Sequence, residues 1–159
     1  MDHVTQSAID VGELIKAAEA DACGGIAIFL GTVRAGAEDG PVQRIEYSGY
    51  EEMLQVEFGR ITSEALERWP GVNVRSVHRL GSVPTGEASI AVVVAAPHRG
   101  EAFAACEFVV EEAKKRLPVW KKEIFADGRE SWRANRVDAT GKWRSVPESR
   151  RTARASKLE

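Results

Sequence analysis

Long apolar runs are missing from this sequence. No stretch of about 18 apolar residues occurs, which excludes a helix that spans a membrane. Cysteine is scarce: Cys23 and Cys106 lie too far apart for a CxxC pair and are too few for a disulfide framework. They read as reduced, buried thiols. Histidine is scarce too. His3, His78 and His98 share no metal-ligand spacing with one another or with the cysteines, so no metal site is expected. GxGxxG, the P-loop, HExxH and GxSxG are all absent. The N-terminus carries an acid, Asp2, where a secretory signal carries bases, and no apolar segment follows closely. A cytoplasmic protein is expected.

What is there suits one globular domain: 159 residues, 43% hydrophobic and 29% charged. That balance excludes a wholly disordered chain. The net charge of −2 conceals an asymmetry. Residues 1–113 hold 8 Lys and Arg against 18 Asp and Glu, whereas residues 114–159 hold 14 against 6. A basic C-terminal third on an acidic body points to an anionic ligand, an acidic partner surface or nucleic acid.

Periodicity predicts a first helix over 9–22 with Asp10 as its N-cap. Ile26 to Val33 reads as a buried strand, 35–41 as a loop, and Val42 to Tyr47 as a strand. Residues 50–68 read as a helix with Met53, Val56, Phe58, Ile61, Ala65 and Leu66 near the 3.6 period, stopped by Pro70. Val72 to Leu80 reads as a strand, Gly81 to Gly86 as a turn, and Ser89 to Ala96 as a strand covered on both faces. A third helix follows over 100–116 and ends at Pro118. Val119 to Phe125 and Glu130 to Ala134 read as strands around a turn at Ala126–Gly128. With no repeat and no linker, the fold class is α+β with mostly antiparallel strands. Apolar residues thin out from Val137, so 137–159 reads as a polar basic tail.

Helix geometry separates the lysines of the third helix. At about 100° per residue, Phe103, Cys106, Val109, Val110, Ala113 and Leu117 form one stripe. Lys114 falls about 70° from its centre and Lys115 about 170° away. Lys114 can therefore bury its stem and hold its ammonium at a cleft border, or simply snorkel at a helix end. In the strand beyond, Trp120 and Lys122 share one face, Lys121 and Glu123 the other. Lys121 can converge on the pocket of Lys114, and a desolvated lysine near a second cation can act as acid, base or nucleophile. A solvated edge strand is the plainer alternative. Arg34 closes the first long strand before the loop. His98 and Arg99 sit at a strand-to-helix junction, whose free backbone N–H groups suit an anion. His78 reads better as a satisfied structural histidine.

These residues occur in a recognisable order. Gly31-Thr-Val-Arg34, Glu46-Tyr47, Trp69-Pro70, Val77-His-Arg-Leu-Gly81, His98-Arg99, Trp120-Lys-Lys-Glu123 and Trp132-x₃-Arg136 follow one another, with Lys114-x₆-Lys121 between. The set resembles the family of molybdopterin synthase catalytic (large) subunits, the MoaE type, over about residues 9–136. The resemblance implies an α/β-hammerhead fold in a single domain over 1–136, with the tail 137–159 disordered or near a partner interface. It implies a homodimer core of a heterotetramer. The partner would be a small ubiquitin-like sulfur carrier ending in a Gly-Gly thiocarboxylate. The substrate would be cyclic pyranopterin monophosphate, converted by two sulfur transfers into the molybdopterin dithiolene. No metal or cofactor is implied. Carried over position by position, Lys114 and Lys121 match the family's active-site lysines. Arg34, His98 and Arg99 match its anion-binding residues, and Arg136 a further basic residue near the substrate.

Two rival readings use the same residues. A non-catalytic phosphate- or nucleotide-binding module would use the cationic cluster without turnover. A nucleic-acid binder would use the basic third, but the body is acidic and aromatics there are limited to Trp120, Phe125, Trp132 and Trp143.

Overall fold

The computed structural model describes residues 2–36, 40–137 and 143–145, with side chains up to Arg133. The elements run β1 (Val4–Thr5), α1 (Val11–Ala18), β2 (Gly25–Thr32), β3 (Val42–Gly49), α2 (Glu51–Arg68) and β4 (Asn73–Arg79). They continue as β5 (Gly81–Pro84), β6 (Ala88–Ala96), α3 (Arg99–Arg116), β7 (Val119–Phe125), β8 (Glu130–Val137) and β9 (Trp143–Ser145). The class is α+β, as expected. One sheet has the order β1-β4-β6-β2, the other β5-β3-β7-β8-β9. The short pair β1–β4 is parallel; the other pairs are antiparallel.

β6 is the spine of the first sheet. Its apolar run lies between β4 and β2, with helices on both faces, and residues Ser89–Ala96 are all buried. α2 and α3 cover one face, where Leu54, Phe58, Ile61, Val92, Val94, Ala105 and Val109 close the main core. Phe58 has no exposed surface, so truncating it to Ala costs about 3–5 kcal/mol. α1 covers the other face through Leu14 and Ala18 against Val77, Ala91, Val93 and Ala95. Asp10 caps α1: its Oδ1 accepts from the Glu13 N–H at 3.1 Å. A third cluster, Val33, Val42, Ile45, Val83 and Phe125, seats the second sheet.

Several local expectations shift. α1 stops at Ala18, well before 22, and Gly81–Pro84 is a strand on β3 followed by the turn, not turn throughout. In α2 the buried stripe is Leu54, Phe58, Ile61 and Ala65, an i, i+4, i+7, i+11 set; Met53, Val56 and Leu66 lie exposed beside it. In α3 the stripe begins at Ala102 and Ala105, and Phe103 is 67% exposed. β2 was expected to be buried. It is an edge strand, and Ile26, Ile28 and Leu30 are 40%, 46% and 41% exposed, because α1 covers β4 and β6 but stops short of β2. Of the tail, β9 pairs with β8; residues 138–142 and 146–159 lie outside the described residues.

Candidate active site

Lys114 projects from the last turn of α3 toward β2. Its Nζ stands 5.4 Å from the ring centre of Phe29. The aliphatic stem and the ring form one end of a groove of about 290 Å³, also lined by Ala27, Ile28, Phe103, Cys106 and Val110 and by the acids Glu107 and Glu111. Lys115, one residue on, is exposed and bonds Glu112 at 3.2 Å. The amphipathic rotation of the helix thus separates the two lysines as the 100° period predicts.

Lys121 lies on β7, directly opposite Tyr47 of β3 and Arg133 of β8. Strand pairing puts these three side chains on one face of the second sheet. Burial pushes the Lys121 ammonium below the ordinary lysine range. Arg133, Arg34 and Lys114 push the same way, and Glu123 opposes them. Four further charged groups thus act on this one amine. Glu123 is buried, and its Oε2 accepts from Arg133 Nε at 2.8 Å. Tyr47 is held above the usual phenol range, first by burial; a hydrogen bond with Ser89 pulls the other way. Ser89 in turn donates to the Gly31 carbonyl at 3.2 Å. A line of contacts therefore joins Lys121's face to the end of β2.

That end is built around Gly31. A Cβ there would lie 2.5 Å from Ile90 Cγ2, and the β2–β6 register slips between Gly31 and Thr32. Val33 is then buried, with its N–H on Glu87 O at 3.0 Å and its C=O accepting from the Gly86 N–H at 2.7 Å. Anchored in this way, the chain presents Arg34 to solvent within electrostatic reach of Lys121.

Lys122 points the other way. Its Nζ bonds Glu46 at 2.9 Å and Glu130 at 3.3 Å, beside the Trp132 ring. These carboxylates hold its ammonium above the ordinary range, Glu46 foremost.

His98 and Arg99 stand elsewhere in the chain. His98 is the N-cap residue of α3 and Arg99 its first residue, both exposed. Arg99 precedes Lys114 by fifteen helical residues, about 22 Å along the axis. The cluster of Lys114, Lys121 and Arg34 is therefore not joined by His98 and Arg99 of the same protomer. Arg136 falls in β8, and its side chain lies outside the described residues. His78 is structural: it is buried, its ring nitrogen Nδ1 lies 2.9 Å from the Arg79 carbonyl, its ring meets Tyr47 edge-on, and burial lowers its pKa to about 4. Sequence reasoning set Glu123 on the face of Lys121 without giving it a role, and it missed Arg133. The signal for Arg133 was the β7–β8 hairpin, whose turn at Asp127–Gly128 fixes which residues stand opposite.

Fold and site together define, among the described residues, an α+β protein of two sheets and three helices in which a lysine and an arginine act on a second lysine. The chain belongs to the MoaE family: that family's sequence model, described as MoaE protein, matches residues 4–116. A molybdopterin synthase catalytic subunit of Pyrococcus abyssi is 45% identical over 123 residues, 77% of this chain and 82% of the relative. One from Emericella nidulans is 46% identical over 125 residues, covering 78% of this chain and 64% of the relative. Among solved structures, molybdopterin synthase from Staphylococcus aureus superposes with a TM-score of 0.80 at 29% identity, over 83% of this chain and 96% of that one. A complex of subunits 1 and 2 of molybdopterin-converting factor from Helicobacter pylori gives 0.66 at 26% identity, over 91% and 89%.

Proposed function

We propose that this protein is the catalytic subunit of a molybdopterin synthase. It takes sulfur from the C-terminal thiocarboxylate of a small carrier protein and adds it to cyclic pyranopterin monophosphate. The observation that carries the reading is the cluster itself. Lys121 stands within electrostatic reach of Lys114, Arg34, Arg133 and Glu123, and Lys114 lines a groove of mostly apolar residues that also carries Glu107 and Glu111. Both reactants are anions, and bringing them together requires fixed positive charge. In each round the thiocarboxylate C–S bond breaks, and a C–S bond forms at a substrate carbon as that carbon's C–O bond breaks, the oxygen leaving as water from a carbonyl carbon or with the phosphate from an ester carbon. Water supplies the oxygen with which the carrier leaves as a carboxylate. Lys114, at the groove end, receives the tail and moves protons in acyl transfer and release. Lys121 stabilises the negative charge that develops on sulfur addition. Arg34, His98, Arg99 and Arg136 hold the phosphate.

His98 and Arg99 can serve that role only from a second copy. β2 offers the means: among the described residues it pairs with β6 alone, and it exposes Ile26, Ile28 and Leu30. Gly25, at its start, is packed on Arg99; Phe29, toward its end, lies under Lys114. A two-fold axis through the middle of β2, with the strands antiparallel, brings Arg99 of the partner subunit to the Lys114 end of this chain. The homodimer then builds two composite sites, and a carrier at each makes a heterotetramer. The unpaired cysteines fit a reducing compartment, and we place the assembly in the cytoplasm.

The test is reconstitution. Purified protein, a thiocarboxylated carrier and cyclic pyranopterin monophosphate are mixed, and molybdopterin is read as its fluorescent oxidised derivative. Product that disappears with Lys114→Ala or Lys121→Ala supports the reading. Carrier binding without product rejects it in favour of a non-catalytic phosphate-binding module.

A further inference from the structure

We infer that Arg116 is a positioning residue for Lys114 and Lys121, acting through the corner that joins α3 to β7. The inference rests on the reading of those two lysines as the reactive pair.

Two residues, Leu117 and Pro118, separate the end of α3 from the start of β7. The corner is tight: the Leu117 N–H reaches Ala113 O at 3.0 Å, and the Val119 N–H reaches Leu117 O at 2.9 Å. It is also pressed from outside. A Cβ on Gly49, where β3 turns into α2, would lie 3.1 Å from the Pro118 carbonyl oxygen and 2.9 Å from Leu54 Cδ1. Any tilt of the last turn of α3 is therefore passed to Lys114, two residues back, and to Lys121, five residues on.

Arg116 fixes that turn. Its Nε donates to Glu57, and its Nη1 to Glu64 at 2.8 Å and Glu112 at 3.4 Å. Glu57 and Glu64 stand two turns apart on α2, about 10 Å along its axis. One planar fork that spans two rungs of a neighbouring helix resists sliding and rotation together, which a point charge on one rung does not. Arg116 also lies about 200° round α3 from Lys114. The helix is thus held on its α2 side while it presents Lys114 on its β2 side.

Cohesion between the helices has other sources. Phe58, Ile61 and Ala65 meet α3 in the main core, and Trp69 meets Phe108 with ring centres 5.6 Å apart. The outer pair, with Glu64 43% exposed, adds little to stability. What the clamp supplies is direction.

The experiment compares wild type with Arg116→Met, Arg116→Lys and the triple variant Glu57→Gln/Glu64→Gln/Arg116→Met, which removes the stranded carboxylates with the guanidinium. Steady-state turnover is measured with carrier affinity alongside. Separately, lysines are reductively methylated with ¹³C-formaldehyde, and the dimethylamine resonances are titrated by NMR. We expect kcat to fall about tenfold or more in all three variants, with carrier Kd within about twofold. We expect the Lys114 and Lys121 resonances to shift while Lys16, on α1, stays in place. Folded variants with wild-type kcat and unmoved resonances overturn the inference. Where Arg116→Met fails to fold, the triple variant decides. Wild-type protein without turnover rejects the functional reading, while the resonances still report on the clamp.

Discussion

Tyr47 and Lys121 stand directly opposite each other across the β3–β7 ladder, one residue from each strand on the same inward face. The phenol is raised and the ammonium lowered, each chiefly by burial. The pair therefore sits where water is scarce and where charge on either group is felt strongly.

This setting predicts an alkaline limit on turnover. In the proposed reaction Lys121 stabilises developing negative charge only while protonated, and its pKa is below the ordinary 10.5. Activity should fall as pH rises through that lowered value. Lys121→Arg, which stays charged, should remove this limb while losing geometry; Lys121→Ala should lower kcat by about 10²–10⁴. A pH–rate profile of the three proteins checks this. The same alkaline limb persisting in Lys121→Arg would assign it to another group.

Glu123 opposes the cations around Lys121 and accepts from Arg133 at 2.8 Å. Glu123→Gln keeps the shape and removes the charge. The Lys121 pKa should fall further and carry the alkaline limb to lower pH. Loss of a charge-assisted hydrogen bond at a buried acceptor should cost about 1–3 kcal/mol of stability. Urea unfolding and the pH–rate profile measure the two effects; a limb that stays in place refutes the coupling.

His78 predicts an acid-side loss of stability. Its folded pKa is about 4 against 6.5 for the free group, because burial disfavours the cation. Between those values the unfolded chain binds the extra proton, so stability is full above about pH 6.5 and falls as pH drops toward 4. The loss amounts to about 3 kcal/mol. His78→Gln should flatten that slope, measured by urea unfolding at a series of pH values. His3, also lowered first by burial, retains the remaining share. A variant with the wild-type slope would place the titration elsewhere.

What was legible in the sequence was local. Asp10 as a cap, the split between Lys114 and Lys115, and the alternation that turns Lys121 inward and Lys122 outward all follow from helix and strand periods. What was not legible depends on partners far along the chain. Ile26, Ile28 and Leu30 look like core residues until β2 is seen at a sheet edge beyond the reach of α1. β5 reads as a turn because its partner, β3, lies more than thirty residues back. In α2, Met53 and Leu54 are equally apolar neighbours, and only packing against β6 and α3 decides which is buried. For the site, the family resemblance named Arg34, His98, Arg99, Lys114, Lys121 and Arg136 together, but it carried no distance. The length of α3 alone sets His98 and Arg99 apart from the lysines.

That separation gives the sharpest prediction. If Arg99 serves the site of the partner subunit, two inactive variants can rescue each other. Arg99→Ala and Lys114→Ala should each be inactive alone. In a mixed dimer, the Arg99→Ala chain supplies an intact Lys114 and receives an intact Arg99 from its companion, so one of the two sites is complete. Unfolding and refolding an equal mixture should then restore about a quarter of wild-type activity, since half the dimers are mixed and each has one working site. If both residues serve the same protomer's site, no mixture is active. Ile28→Asp on the exposed stripe of β2 sharpens the result: it should break the dimer, seen by analytical ultracentrifugation, and abolish rescue with it. An Ile28→Asp protein that stays dimeric and still supports rescue would move the composite site away from β2.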